Sequence, residues 1–402
     1  MMKLLATTIL ATSCAFGAAQ AAESNHYTDT VLVANKAKYK PTIEVDGKLI
    51  NAWGIAIRPA GAGGHFWVAG KDISFEYVGD VQKSEDVKLR VLHSDALKYV
   101  KLPVGGDESF ATGVVFSDSK KDFVITQNLP DAEPITAPAK FIFVSDGGIV
   151  SAWTERKKAD GSFDRSGEAL AVIDQSKEGA QFFGAALSKN YDRLYVADFG
   201  AVPGVKVFDG SFKPEAVTFD MPFDENKNGK VDAGEYAPFN VQSFDGHVFV
   251  TYAKTQACPK EEIAKKTCAK GELFVGEEDT AKPGHGRLAE FSEDGKLVAV
   301  WNDGGKLSAP WGLAFAPKDF GAVSGALLVA NFGDGTIAAY DAKTREFIDF
   351  MRDKKGKSIA IDKIWGLTFG NGASLGDADT LYYTAGPDDE KDGVFGSLRL
   401  VK

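Results

Sequence analysis

The chain has 402 residues, with 46 Lys plus Arg against 56 Asp plus Glu and a formal net charge of -10. That balance repels a nucleic-acid backbone and an anionic lipid surface alike. With 44% hydrophobic residues, 25% charged residues and 43 Gly, the chain is folded and rich in turns, which excludes a disordered or low-complexity polymer.

The first segment reads as an export signal: Lys3 supplies the positive start, Leu4 to Phe16 the apolar stretch, and Ala19-Gln20-Ala21 the small residues of a cleavage site after Ala21. Residues 1–21 are therefore expected to be absent from the mature protein, which would be periplasmic or secreted. No later stretch reaches the roughly 18 apolar residues of a membrane span. Cys14 follows Ala11-Thr12-Ser13, a weak likeness to a lipid-attachment site that lacks the usual preceding Leu.

From Tyr27 onward the chain reads as short strands and repeats itself. After the strand Tyr27 to Val33, six segments align on a Gly or Asn: Trp53-Gly54-Ile55, Thr112-Gly113-Val114, Phe183-Gly184-Ala185, Phe239-Asn240-Val241, Trp311-Gly312-Leu313 and Trp365-Gly366-Leu367. Each is followed by a β-rich run: Phe66 to Ala69, Phe123 to Thr126, Leu194 to Ala197, Val248 to Thr251, Leu327 to Ala330 and Leu381 to Thr384. Third and fourth runs usually follow, and no long helical periodicity intervenes. A lone four-stranded sheet cannot cover both of its faces, whereas radial packing of six can, so the pattern predicts an all-β, six-bladed β-propeller over residues 22–402. Glycine in each first strand is expected where the inner strands converge on the axis. The last unit has three clear strands, so the N-terminal strand is expected to complete it and remove an exposed edge. The second unit has five strand-like runs, among them Phe141 to Val144 and Ala169 to Ile173, and sequence alone does not identify the extra one.

The segments Asn51-Ala52-Trp53-Gly54-Ile55, Ala309-Pro310-Trp311-Gly312-Leu313-Ala314, Ala330-Asn331-Phe332-Gly333-Asp334-Gly335 and Trp365-Gly366-Leu367-Thr368-Phe369-Gly370-Asn371-Gly372, with the ending Thr384 to Glu390, resemble an uncharacterised family of exported bacterial six-bladed β-propellers related to NHL-repeat proteins. The resemblance implies a fold and a compartment, and it carries no catalytic residues. Two stretches depart from it: the segment 224–235 and the cysteine-bearing insertion 254–287.

The first of these, Asp224-Glu225-Asn226-Lys227-Asn228-Gly229-Lys230-Val231-Asp232-Ala233-Gly234-Glu235, fits the twelve-residue calcium loop. Asp224, Asn226, Asn228, the Lys230 carbonyl, Asp232 and Glu235 occupy the ligand positions, and Gly229 the sharp turn. Pro222 and Pro238 exclude the usual flanking helices, so the expectation is a structural calcium ion and not a conformational sensor. In the second stretch, Cys258 and Cys268 are expected to form a disulfide, because a metal-binding or redox dithiol usually places its sulfurs two or three residues apart. Glu277-Glu278-Asp279 and Asp388-Asp389-Glu390 with Asp392 are either a second cation site or solvated acidic faces. Of the five histidines none has the paired spacing of a zinc site; His285, in Pro283-Gly284-His285-Gly286, is the one on a turn. Gly372-Ala373-Ser374-Leu375-Gly376 spells a nucleophile elbow without the helix that such a serine needs. Trp53, Trp311 and Trp365 either pack between blades or floor a ligand pocket.

Connections into inner strands, and those between second and third strands, share one face of a propeller. The calcium loop and the disulfide insertion both belong there. The sequence therefore suggests a monomeric, exported, calcium-stabilised propeller binding a small ligand or envelope protein on that face. The alternative is a metal-dependent hydrolase of the lactonase or esterase kind with an axial divalent cation.

Overall fold

The structure, a computed structural model, describes residues 24–130, 132–279 and 282–401. The expected export signal and Cys14 lie outside the described residues.

The expected propeller is present, with six blades around one axis. Blade one is a four-stranded antiparallel sheet of Ile55–Ala56, Phe66–Gly70, Ile73–Val78 and His93–Lys101, inner strand first. Blade two orders Ala111–Phe116, Phe141–Ser145, Ile149–Trp153 and Leu170–Asp174. Blade three holds three strands, Phe182–Leu187, Arg193–Asp198 and Gly204–Asp209. Blade four comprises Tyr236–Phe244, His247–Ala257, Gly286–Ser292 and Leu297–Val300, and blade five Pro310–Phe315, Leu327–Asn331, Ile337–Tyr340 and Phe347–Phe350. Blade six joins Ile364–Phe369, Thr380–Ala385 and Val394–Leu400 to the N-terminal strand His26–Ala34. A helical turn, Lys260–Lys265, stands in the disulfide insertion.

Closure follows the sequence expectation. His26–Ala34 pairs antiparallel with Val394–Leu400, from Tyr27 opposite Leu400 to Ala34 opposite Val394, with a bulge between Val31 and Val33. The Tyr27 hydroxyl donates to the Phe320 carbonyl of blade five at 2.7 Å, tying the closing strand to its neighbour.

Two of the sequence assignments change. The run Phe123 to Thr126 is not the second strand of blade two; it opens an extra hairpin, Val124–Leu129 with Ala132–Pro138, and Phe141–Ser145 pairs with the inner strand instead. The reason is burial. Val124–Leu129 alternates exposed and buried residues, whereas a central blade strand is covered on both faces, and Phe141–Ser145 is buried at every position. In blade three the chain leaves Gly204–Asp209 with a single bridge, Phe208 to Pro214, and never forms a regular fourth strand.

The core divides as the architecture demands. Six apolar clusters each lie between two adjacent blades, such as Trp67, Phe141, Phe143 and Trp153 between blades one and two. A seventh, made of Trp53, Phe183, Phe199, Phe239, Phe332 and Trp365 with Trp311, lies on the axis. The inner-strand glycines have the expected steric cause. A Cβ on Gly184 would overlap the Asn240 side chain, and one on Gly312 the Trp365 carbonyl. Asn240, the one departure from glycine, fills the space that Gly184 leaves and donates to the Trp311 carbonyl at 2.8 Å.

Candidate functional site

The segment 224–235 runs directly into the inner strand of blade four, on the face expected from its position. Asn226 and Asn228 are exposed and Asp224 and Asp232 half-buried, and Glu235 turns inward. Glu235 is 4% exposed. Its Oε1 accepts from the Glu225 and Asn226 N–H groups at 3.1 and 3.3 Å and from Asn226 Nδ2 at 3.0 Å, and its Oε2 accepts from the Asp232 N–H at 2.9 Å. Asp224 accepts from the Asn228 and Gly229 N–H groups at 3.2 and 2.8 Å, and Asp232 Oδ2 from Asn228 Nδ2 at 2.6 Å. Gly229 holds the left-handed turn at φ 77°. Asp224, Asn226, Asn228, Asp232 and Glu235 are thus gathered by one loop, and rotation of the two amides turns their oxygens toward the same interior. This set of hard oxygen donors fits a calcium ion.

One groove shares a wall with that loop. It has a volume of about 350 Å³ and lies between blades three and four, beside the place where blade three lacks its fourth strand. Asp224, Val231 and Tyr236 border it on the loop side, and Val205, Val207, Phe219, Met221 and Phe223 provide most of its apolar lining.

The axis itself is asymmetric. At the loop-rich end, Trp365 stacks on Trp53 at 3.8 Å and on Phe332 at 4.0 Å, and meets Trp311 edge-on at 5.9 Å. Trp53 and Trp365 therefore plug the channel by packing, while Trp311 also lines the cavity on the other side of the plug. Above the plug, Trp365 Nε1 donates to Asn51 Oδ1 at 2.9 Å, and Asn51 Nδ2 donates to Glu390 at 3.1 Å. Lys363 lies over the Phe332 ring at 4.0 Å. Burial pushes Glu278 up to about 8, with the nearby Glu390 adding to the effect, and burial pushes Glu390 up to about 7 against the pull of Lys363. The two acidic runs thus meet over the axis, half-buried and sharing one lysine. At the opposite end the inner strands enclose an open cavity of about 510 Å³ whose lining carboxylate is Asp245, paired with Lys189 at 2.7 Å.

The remaining motifs have local roles. Cys258 and Cys268 form the expected disulfide, with Cα atoms 6.0 Å apart, closing the base of the inserted loop. Asp392 is neither solvated nor part of the axial group: it is 0% exposed and receives Lys36, Lys38, Asn35 and Tyr39 from the segment after the N-terminal strand. His285 Nδ1 faces Asp279 at 3.0 Å. Ser374 sits in a turn capped by Asn371 Oδ1, which accepts from the N–H groups of Ala373, Ser374 and Leu375, so no nucleophile elbow exists there.

Sequence reasoning missed one cluster. His65, Glu76 and Asp95 of blade one approach one another on the face opposite the loop of Asp224 to Glu235, His65 Nδ1 lying 3.2 Å from Glu76 and Nε2 3.3 Å from Asp95. The available signal was Glu76 itself, a charge amid the strand residues Phe75 and Tyr77. Its partners are not at any motif spacing.

No family model matches the chain. Three proteins of Acanthamoeba polyphaga mimivirus are similar to it: uncharacterized protein R648, 25% identical over 371 residues, 91% of this chain and 78% of that protein; L690, 28% identical over 260 residues, 63% and 62%; and R640, 24% identical over 267 residues, 66% and 43%. The chain thus spans less than two thirds of the length of the last two. Among solved structures, a gluconolactonase from Xanthomonas campestris aligns with a TM-score of 0.34 at 14% identity, covering 65% of this chain and 82% of its own. The WD40 β-propeller domain of Doa1 aligns with a TM-score of 0.39 at 10% identity, covering 92% and 96%.

Proposed function

We propose that this protein is an exported, non-enzymatic binding propeller, stiffened by calcium, whose ligand is a small apolar molecule or an apolar side chain of an envelope protein. The observation that carries the reading is the 350 Å³ groove walled on one side by the loop of Asp224 to Glu235. Its volume and mainly apolar lining are those of a small-ligand site. Asp224, Asn226, Asn228, the Lys230 carbonyl, Asp232 and Glu235 would hold the calcium. When bound, the ion supplies a fixed positive centre that holds the loop, and with it Val231 and Tyr236, against the groove.

The metal-dependent hydrolase has less support. An axial cation needs carboxylates at the mouths of inner strands. At the loop-rich end Glu278 and Glu390 meet above a plug of Trp53, Phe332 and Trp365 that closes the channel beneath them, and at the other end the lining carboxylate already pairs with Lys189.

The test is titration of the protein with an apolar fluorescent dye, with and without calcium, beside Val205→Lys, which sets an ammonium in the groove. Saturable binding that calcium strengthens and Val205→Lys weakens at least about tenfold supports the reading. Equal binding by the wild type and Val205→Lys overturns it, as does metal-dependent turnover of lactones or aryl esters.

A further inference from the structure

We propose that His65, Glu76 and Asp95 form a binding site for a divalent transition metal of the zinc class, which staples the second, third and fourth strands of blade one. The site is independent of the groove and of the calcium loop. His65 immediately precedes Phe66–Gly70, Glu76 lies in Ile73–Val78 and Asp95 in His93–Lys101, so three neighbouring strands each bring one donor to the same point.

The spacing suits a metal. One ligand atom from each residue lies within 4.8 Å of the other two. The short contacts use different ring nitrogens, Nδ1 to Glu76 at 3.2 Å and Nε2 to Asp95 at 3.3 Å, so a single ion takes one nitrogen and draws the farther carboxylate in toward the separation set by two bonds of about 2.0–2.1 Å.

A second observation points independently to a cation. The Glu76 side chain is 0% exposed and faces His65, yet neither of its oxygens accepts a hydrogen bond. A sealed carboxylate without donors is costly, and a cation at bonding distance removes that cost.

Donor chemistry selects the metal, since one imidazole with two carboxylates suits zinc better than calcium, which takes oxygen ligands. The surroundings supply orientation. Arg165 donates to Asp95 Oδ2 at 2.6 Å and to Glu155 at 3.0 Å, and Arg58 donates to Glu155 at 2.7 Å. These bonds fix the Asp95 carboxylate as outer-sphere partners fix metal ligands. Asp95, whose side chain is 26% exposed, opens the site to solvent and leaves a fourth position for water.

The test uses chelator-treated full-length protein and zinc chloride alone, titrated calorimetrically with calcium present in excess to fill the loop at Asp224 to Glu235. The expected result is one equivalent of zinc bound, weakened at least about 100-fold by Glu76→Gln. Asp95→Asn, at a partly exposed position, keeps the test decisive if Glu76→Gln fails to fold, and the same loss is expected there. Cobalt(II) should give the visible absorption of a tetrahedral site, absent in His65→Gln. No zinc binding by the wild type overturns the proposal and makes the cluster a histidine ring held between Glu76 and Asp95. Unchanged affinity in the variants, or loss in Glu235→Gln instead, also overturns it by moving the zinc elsewhere.

Discussion

Replacing Asp392 by Asn should loosen the seam that closes the propeller. The carboxylate is fully buried in the connection between the second and third strands of blade six, and every partner comes from the segment after His26–Ala34. Asn35 Nδ2 donates to Oδ1 at 2.9 Å and the Tyr39 hydroxyl to Oδ2 at 2.7 Å, while Lys36 and Lys38 approach at 2.6 and 2.7 Å. The lysines are half exposed and return to water, so solvent screening leaves them little part in the cost. The energy lies in the two less exposed bonds. An Asn amide presents one oxygen, so it keeps one acceptor and opposes the other donor with an N–H, a loss of about 2–3 kcal/mol. Unfolding entropy of about 2.1 cal/mol/K per residue over about 380 residues is roughly 0.8 kcal/mol/K, so Tm should fall by about 3–4 °C. Burial alone would raise the carboxyl, but its bonds to Lys36, Lys38, Asn35 and Tyr39 hold it well below the usual range. The folded state therefore holds that proton more weakly than the unfolded state. The stabilisation is complete above about pH 4 and is lost only as pH falls through the lowered folded value, so the Tm difference should be constant between pH 7 and 5. Calorimetry measures the shift, and hydrogen exchange should show the amides of His26–Ala34 opening first. Unchanged melting together with unchanged exchange in that strand would refute the reasoning.

Glu235→Gln would remove a charge and spoil bidentate ligation of the proposed calcium ion, so it should abolish most of the thermal shift expected from calcium, about 2.7 kcal/mol in the wild type at 100 times the dissociation constant; an undiminished shift in a melting assay would place calcium elsewhere. The double variant Cys258→Ser with Cys268→Ser should speed hydrogen exchange within residues 259–278 while leaving global Tm nearly unchanged, because the bond closes a short surface loop; global unfolding at room temperature would contradict that limited role. Trp365→Ala deletes a ring stacked on Trp53 and Phe332 and leaves Asn51 without its donor, so it should cost about 3–5 kcal/mol, or roughly 4–6 °C in thermal melts; a shift below 1 °C would mean that the axial plug is dispensable.

Local pattern carried much of this protein. Glycine or asparagine at the centre of each inner strand, followed by runs apolar on both faces, is enough to declare six blades, because each blade must present two covered faces whatever its neighbours are. The three-stranded sixth unit at the C-terminus and the spare strand before Ala52 likewise declare closure, and a twelve-residue loop declares its oxygen donors because all of them belong to one turn of chain. Tertiary structure decided the rest. Which of five runs completes blade two depended on whether both faces of a strand are covered, and Val124–Leu129 exposes one. The meeting of Trp53, Phe332 and Trp365 on the axis, of Glu278 with Glu390 above it, of Asp392 with Lys36 and Lys38, and of His65 with Glu76 and Asp95 has no sequence period. Those contacts arise from strand register within a blade and from the angle at which six blades close, and both are set by packing between residues that are far apart in the chain.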